Sequence, residues 1–218
     1  MRIEKSYLPF MGAMIAVIVA SNYLVQFPVD ARLGIVDLSE ILTWGAFTYP
    51  VAFLVTDLTN RRFGPKAART VVAIGFLFAI LLSIWLATPR IAIASGTAFL
   101  LAQFLDVSIF DRMRRATWWK APLISSLIGS LIDTVLFFGI AFAAPFTLFD
   151  TVFGLPDGSL PFPVPFLSVG ADVPLWTSLA AGDFIVKMAV ALLLLAPYRA
   201  LRSLVSERPA LAASNGPV

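Results

Sequence analysis

Hydrophobic residues gather in six runs along the chain, separated by short polar segments. Most runs approach the roughly 20 apolar residues that a helix needs to cross a bilayer. The second run is short and has Pro50 in its middle, where a helix is interrupted or kinked. The pattern predicts an all-α membrane protein with six transmembrane helices, the second broken near Pro50. The predicted spans are residues 7–28, 42–58, 70–87, 91–110, 121–148 and 175–198.

Two segments outside these runs have their own character. Residues 150–174 contain five prolines and three phenylalanines, which predicts an ordered or re-entrant outer cap rather than another span. Residues 209–218 are small and polar, so we expect a disordered tail. No sequence repeat is visible, and residues 1–208 are therefore expected to form a single transmembrane domain.

Basic residues are distributed very unevenly between the loops. Thirteen of the 16 lie in segments 2–5, 61–69, 112–120 and 199–208, whereas the intervening loops hold only Arg32 and Arg90. Lys187 lies inside the last span. Because positive residues stay in the cytoplasm, the distribution predicts a multi-pass membrane protein with both termini inside. The same rule explains the basic clusters as topology signals, so we expect no nucleic-acid partner.

Composition narrows the chemistry. Hydrophobic residues form 59% of the chain and charged residues 13%, against about 25% charged in ordinary soluble domains. The chain has no cysteine and no histidine, which removes thiolate chemistry and the commonest metal ligand. We therefore expect no metal site, no cofactor, no catalytic residues and no enzymatic activity.

Five charged residues nevertheless lie inside the predicted spans. A charge at the bilayer centre costs roughly 2.5–3.5 kcal/mol on insertion scales, so these residues should face a polar interior. Because four carboxylates face one ammonium, either some carboxylates are protonated or a cation or hydrogen-bond-donating ligand completes the site. The five are Asp57, Asp106, Asp133, Asp183 and Lys187.

Helical spacing groups these charges with other polar residues into stripes, which should converge on an interior site or on one another. Aromatic residues beside the broken span could stack on a planar ligand or anchor the chain at the interface. Besides the five charges, the candidate substrate-binding residues are Asn22, Gln26, Trp44, Phe47, Tyr49, Asn60 and Gln103.

Structural interpretations stand beside these roles. Asp183 and Lys187, four residues apart, could form an ion pair within one helix. Asp57 could pair with Arg61, and Asp106 could act as an interfacial cap. Asn22 and Gln26 could hold helices together. Asp133 is the strongest functional candidate because no basic residue is near it in sequence, although it could simply hydrogen-bond a neighbouring helix.

Several functional classes fit poorly. The chain lacks the full motifs of intramembrane aspartyl proteases and has no phosphate-binding glycine loop for ATP. A passive channel more often has a repeated ring of residues that lines its pore, whereas the amides of this chain are scattered. A small-molecule carrier remains, and a discontinuous second span suits one because it presents helix ends to a substrate.

Four stretches resemble the bacterial queuosine precursor transporters, in the family also called vitamin uptake transporters. Asp183 and Lys187 fit the resemblance too, which covers roughly residues 20–190. The stretches are SNYLVQFP at 21–28, TWGAFTYP at 43–50 with TDLT at 56–59, QFLDV at 103–107, and WW at 118–119 with the later Asp133-Thr134.

The resemblance implies uptake of the 7-deazapurines preQ0 and preQ1, which are salvaged for queuosine in tRNA. It also implies a six-helix fold related to the substrate-binding components of energy-coupling-factor importers, acting without an ATPase in a bacterial inner membrane. We expect the carrier to be a monomer or a homodimer. Two alternatives remain open: a carrier of another planar vitamin or nucleobase, and a substrate-capture subunit that needs a separate ATPase.

Overall fold

Long helices dominate the structure. A computed structural model of the protein describes residues 5–34 and 36–205. Five segments of it are long and apolar enough to cross a membrane. The predicted tail at 209–218 lies outside the described residues. The long helices are α1 (Leu8–Leu24, extended by a 3₁₀ turn from Lys5), α4 (Pro65–Leu86), α5 (Pro89–Met113), α6 (Lys120–Phe142) and α8 (Leu175–Leu204).

The second predicted span is a pair of shorter helices, α2 (Gly45–Thr48) and α3 (Pro50–Phe63). They divide at Tyr49, next to the predicted proline, yet Tyr49 keeps helical dihedral angles (φ −57°, ψ −40°). The chain therefore passes through the junction without an unwound segment. α3 contacts α1, α4, α5, α6 and α8, so it is the central helix. Its position explains why it is short and rich in polar residues: it faces protein rather than lipid.

Proline and glycine set several helix boundaries. Gly64 has φ +87°, a left-handed conformation that glycine adopts easily, and it ends α3 before Pro65 begins α4. Pro89 begins α5 behind the side-chain cap of Thr88. α6 ends at Phe142, six residues before the predicted end at Leu148, because Ala143 is extended and a 3₁₀ turn containing Pro145 follows.

Apolar packing separates an interior from an outer surface. Met14, Val71 and Phe99 belong to a buried cluster formed mainly by α1, α3, α4 and α5. Other large apolar side chains on the same helices point outward, including Leu81 and Trp85 of α4, which are 64% and 89% exposed. Such an apolar exterior suits hydrocarbon and would be unusual in water.

The proline-rich segment forms an ordered cap. It begins with α7 (Leu148–Val152) and includes strands β3 (Pro163–Pro165) and β4 (Asp172–Pro174), which pair antiparallel and pack against α8. A smaller hairpin, β1 (Arg32–Leu33) with β2 (Val36–Asp37), lies between α1 and α2.

Arg90 fastens the cap to the bundle. Its side chain is only 2% exposed, and its Nη1 donates to an Asp150 oxygen at 2.6 Å and to the Ser159 hydroxyl at 3.2 Å. Its other nitrogens donate to the carbonyls of Ile140 and Ala143, near the end of α6. The sequence places Arg90 in a predicted loop, whereas the structure shows that it is buried and holds the cap to the bundle.

Described residues from three of the basic segments meet at the opposite end of the bundle. Arg61 donates to the Tyr198 hydroxyl at 3.2 Å and to the Arg114 carbonyl at 2.8 Å, and Arg114 donates back to the Arg61 carbonyl. Arg199 and Arg202 lie over the Trp118 ring. The ends of α3, α5 and α8 therefore share one strongly basic surface.

Candidate functional site

A buried ion cluster lies where α3, α6 and α8 meet. Lys187 donates to Asp133 at 2.8 Å and lies 2.5 Å from Asp183. The hydroxyl of Tyr49 donates to the second Asp133 oxygen at 3.0 Å, and the hydroxyl of Thr134 donates to Asp183 at 2.9 Å. We call these five residues the lysine cluster.

The cluster combines helices that are distant in sequence. Asp183 and Lys187 form the intrahelical pair that their spacing suggested, and Asp133 of α6 adds a second carboxylate. The side chains of Lys187 and Asp133 are each only 5% exposed. Two carboxylates around one ammonium give a net charge of −1 when all three are ionised. The group can therefore both accept hydrogen bonds and donate them within the bundle interior.

Aromatic rings border the lysine cluster. Lys187 Nζ lies 5.1 Å from the centre of the Tyr49 ring, which makes a cation–π contact. The Tyr49 ring in turn packs edge-to-face on Phe53 and Phe99, with centroids 6.4 Å and 6.2 Å away. Gly129 of α6 allows α3 to approach closely, since a Cβ there would lie 2.8 Å from the Phe53 ring.

A second polar group lies deeper, toward the basic end. Asp57 of α3 and Asp106 of α5 are 2% and 0% exposed and face each other. The Ser125 hydroxyl of α6 is 3.5 Å from an Asp57 oxygen. Arg61, the predicted partner of Asp57, uses its described hydrogen bonds for Tyr198 and Arg114 instead. We call Asp57 and Asp106 the carboxyl pair.

Two amides lie beside the carboxyl pair. Gln103 accepts a hydrogen bond from Thr56 at 2.6 Å, and Asn60 donates to the Val107 carbonyl at 3.0 Å. Within the described part of the chain, the Gln103 nitrogen and the Asn60 oxygen have no hydrogen-bond partner, although both are buried. An unpaired buried polar atom is costly, so this layer keeps unused hydrogen-bonding capacity.

The remaining candidates lie elsewhere. Asn22 donates to the Ile18 carbonyl at 2.9 Å and Gln26 to the Asn22 carbonyl at 3.3 Å, so both amides bond within their own chain segment. Trp44 is 47% exposed and packs against Phe47, with ring centres 5.5 Å apart. None of these four contributes a hydrogen bond described for the lysine cluster.

Sequence reasoning missed two hydroxyl residues as site members. Thr134 follows Asp133 directly, so its position next to the strongest candidate was a signal that it could belong to the site. Ser125 precedes Asp133 by eight residues, about two helical turns, which places the two on similar faces of α6. The partner of Asp133 was not predictable in this way, because Lys187 lies 54 residues away.

Comparison with known proteins identifies the family. The family model described as "Putative vitamin uptake transporter" matches residues 43–88 and 81–201. The chain belongs to this vitamin uptake transporter family. The matched residues include the whole lysine cluster and the carboxyl pair, whereas Asn22 and Gln26 precede them. The family is named for transport, as the sequence predicts, and not for an enzymatic reaction.

Curated relatives of this chain carry more specific names. A "Queuosine precursor transporter" of Escherichia coli is 42% identical, and the match covers 58% of this chain and 64% of that protein. A "Probable queuosine precursor transporter" of Haemophilus influenzae is 38% identical, covering 59% and 66%. One of that name in Bacillus subtilis is 28% identical, covering 52% and 64%. The chain thus spans slightly less than two thirds of each relative. No solved structure matches it.

Proposed function

We propose that this vitamin uptake transporter imports queuosine precursors, the 7-deazapurines preQ0 and preQ1, and that the lysine cluster is its substrate site. The observation that carries the proposal is the meeting of Asp133, Asp183 and Lys187 in the bundle interior. The names of the relatives supply the substrate class.

The chemistry of the cluster matches a deazaguanine ring. Such a ring presents ring N–H and amino donors beside a carbonyl acceptor. The Asp133 and Asp183 carboxylates accept from the donors, and the Lys187 ammonium donates to the carbonyl. Tyr49 adds a hydroxyl and an aromatic face, and Phe47 and Trp44 lie nearby in the chain at the preceding helix. The net negative charge favours preQ1, whose aminomethyl group is a cation, over the uncharged nitrile of preQ0.

Substrate binding requires the cluster to exchange partners. Lys187 and both carboxylates satisfy one another in the structure, so a ligand must replace charge-assisted hydrogen bonds with equally good ones. A purine lacking the amino or carbonyl group would leave one of these buried charges unpaired. Sites of this kind discriminate strongly, by about 10⁴-fold or more in favourable cases.

Uptake into liposomes containing only this chain tests the proposal. Asp133→Asn and Lys187→Met should each lower preQ1 uptake by roughly 10- to 100-fold, the effect of losing a hydrogen bond to a charged group. Asp172→Asn changes an exposed acid of the cap and should leave uptake unchanged. Equal uptake by all the variants, inserted at equal amounts, would contradict the site.

We further propose six membrane crossings in a bacterial inner membrane, with both termini in the cytoplasm. From Gly45 to Phe63 the helices α2 and α3 extend about 28 Å at 1.5 Å per residue, close to the hydrocarbon thickness. The basic surface formed by the ends of α3, α5 and α8 supports a cytoplasmic location for that end.

The assembly state is a separate proposal. Gly12, Ala16 and Ala20 form a ridge of small residues on the exposed face of α1, and a Cβ at Gly12 would meet nothing within 4 Å. Such ridges let helices of different chains approach closely. This supports a homodimer, and the same ridge would serve a separate ATPase subunit if the chain were only a substrate-capture component. Transport by liposomes that hold this chain alone would oppose the need for an ATPase, and copurification of two differently tagged copies would support the homodimer.

A further inference from the structure

The carboxyl pair has no role in the substrate chemistry proposed above. Asp57 lies eight residues after Tyr49 along the chain, and Ser125, which faces the pair from α6, lies eight residues before Asp133, so the two centres are separated by roughly 12 Å. The Phe53 ring and the closely packed Gly129 lie between the two groups. The pair is therefore a distinct polar centre on the side of the basic surface.

The surroundings of the pair offset two negative charges only in part. Arg61 lies one turn along α3 and attracts Asp57 through its positive charge, while its hydrogen bonds go to Tyr198 and the Arg114 carbonyl. From α6 the pair meets the hydroxyl of Ser125. On α4, Arg69 donates to the Ser108 hydroxyl of α5 at 3.5 Å.

Two carboxyls that face each other in a dry interior do not both ionise readily, because like charges repel and burial removes their hydration. Among the described residues, no hydrogen bond of good geometry reaches either Asp106 oxygen, and the Ser125 hydroxyl near the pair has only one hydrogen to donate. A proton held between the two carboxyls satisfies both requirements, since it lowers the charge to −1 and supplies the missing donor. The geometry thus defines a binding site for one proton.

A small cavity lies beside Asp57 on the side of Tyr198. It measures about 20 Å³, enough for one water molecule, and lies between α3, α6 and α8. Asp57, Ser126 and Tyr198 contribute the polar atoms of its lining. A water there would have the two or more polar partners that it needs, and it would link Asp57 to the Tyr198–Arg61 contact.

We propose that the carboxyl pair is the proton-binding site that couples substrate import to the proton gradient. One proton binds to the pair from the outer side together with the substrate, and it leaves through the Tyr198 cavity to the cytoplasm. α3 contains Asp57 and begins directly after Tyr49, and α6 contains both Asp133 and Ser125. Any movement of these helices on substrate binding therefore reaches both centres. The inference rests on the proposed function, because it assigns the driving force for that transport.

Liposomes containing the full chain separate coupling from substrate recognition. Two activities are measured with preQ1: exchange of labelled for unlabelled substrate at equal pH, and accumulation driven by an acidic exterior. In the unmodified protein, the pH gradient should raise accumulation at least about tenfold, and a protonophore should abolish the gain. Asp57→Asn and Asp106→Asn replace an ionisable group with a neutral one of the same shape. Both should still exchange substrate measurably, but the gain from the gradient should vanish.

Asp111→Asn is the matched control, because this acid lies near the inner end of α5 and is 40% exposed in its side chain. It should keep both activities. A gradient-dependent gain that survives in both Asn variants would overturn the assignment, as would unmodified protein that exchanges substrate but ignores the gradient. Failure of the unmodified protein to exchange any deazapurine would instead contradict the proposed function, and with it the coupling.

A measurement without substrate adds a direct readout. Infrared spectra of the purified protein should contain the C=O band of a buried protonated carboxyl near neutral pH. The band should weaken in Asp57→Asn and in Asp106→Asn but persist in Asp111→Asn. An unchanged band in both pair variants would contradict a shared proton even if those variants folded poorly in liposomes.

Discussion

Lys187 holds the lysine cluster together. Sequence alone predicts that it and the four aspartates of the spans avoid lipid, because hydrocarbon cannot solvate a charge. It does not predict which acid pairs with which base, since Asp133 and Lys187 lie on different helices and only tertiary packing brings them together. Proximity in sequence can also mislead. Asp57 and Arg61 are one turn apart on α3, which suggests an ion pair, but Arg61 hydrogen-bonds Tyr198 and Arg114 instead.

Arg90 gives a prediction at this scale. Arg90→Met would leave the Asp150 carboxylate buried without its cation and two carbonyls without donors, which should lower the free energy of unfolding by about 3–5 kcal/mol. Arg32→Met is the control, because Arg32 pairs with Asp37 at the surface and is 79% exposed. It should change stability little. Thermal unfolding in detergent measures both effects, and equal melting temperatures of the two variants would contradict a stabilising role for Arg90.

The same cap contains a pH-sensitive contact. Hydrogen bonds from the Ser159 side chain and backbone hold the pKa of Asp157 below its ordinary value. A lowered pKa means that the ionised form stabilises the folded loop. That contribution is present above the ordinary pKa of an aspartate and is lost as the pH falls through the lower folded value. The contact between Asp157 and Ser159 should therefore weaken only in strongly acidic solution, which an NMR titration of the Ser159 amide would detect.

The helices show which elements hydropathy can locate. α4 and α5 agree with the predicted spans to within a few residues, because their polar flanks carry proline, glycine and arginine. α6 ends six residues early, since the hydrophobic run continues into the cap and hydropathy does not register the extended Ala143. α3 falls below the length of a standard span because it is surrounded by other helices. A buried helix needs no continuous apolar surface.

Gly129 tests the close packing of α3 on α6. Gly129→Ala would bring a methyl group to 2.8 Å from the Phe53 ring and 3.4 Å from the Ala102 carbonyl, and should destabilise the fold by about 1–3 kcal/mol. Gly139→Ala is the matched control on the same helix, where a Cβ would meet nothing within 4 Å. It should be neutral or stabilise by up to about 1 kcal/mol, because alanine favours helix. The opposite order of melting temperatures would disprove this packing.

At the scale of the whole molecule, sequence predicts the class more firmly than the architecture. The hydrophobic runs indicate a multi-pass membrane protein, and the motifs around residues 43–59 and 103–107 indicate the family to which the chain belongs. The ordered hairpin at 163–174 and the burial of Arg90 were not predictable, because both depend on contacts between the cap and the ends of α5, α6 and α8.

The absence of cysteine from the sequence allows a clean test of orientation. Ser203→Cys adds a thiol near the basic end of α8, and Asp172→Cys adds one to the cap. Both positions are exposed. A membrane-impermeant maleimide should label the cap thiol in spheroplasts and the Ser203 position only in inverted vesicles. The reverse labelling pattern would invert the topology, and labelling of both thiols from one side would rule out the proposed number of crossings.

The most direct test of the central claim is ligand-dependent thermal stability of the purified protein. We expect preQ1 and preQ0 to stabilise it, by about 2.7 kcal/mol at 100 times the dissociation constant, and riboflavin to have little effect. Guanine would show how much the seven-position substituent contributes. The stabilisation should disappear in Asp133→Asn and persist in Asp172→Asn. Cooperative unfolding that no deazapurine shifts, or an equal shift in both variants, would contradict deazapurine binding at the lysine cluster.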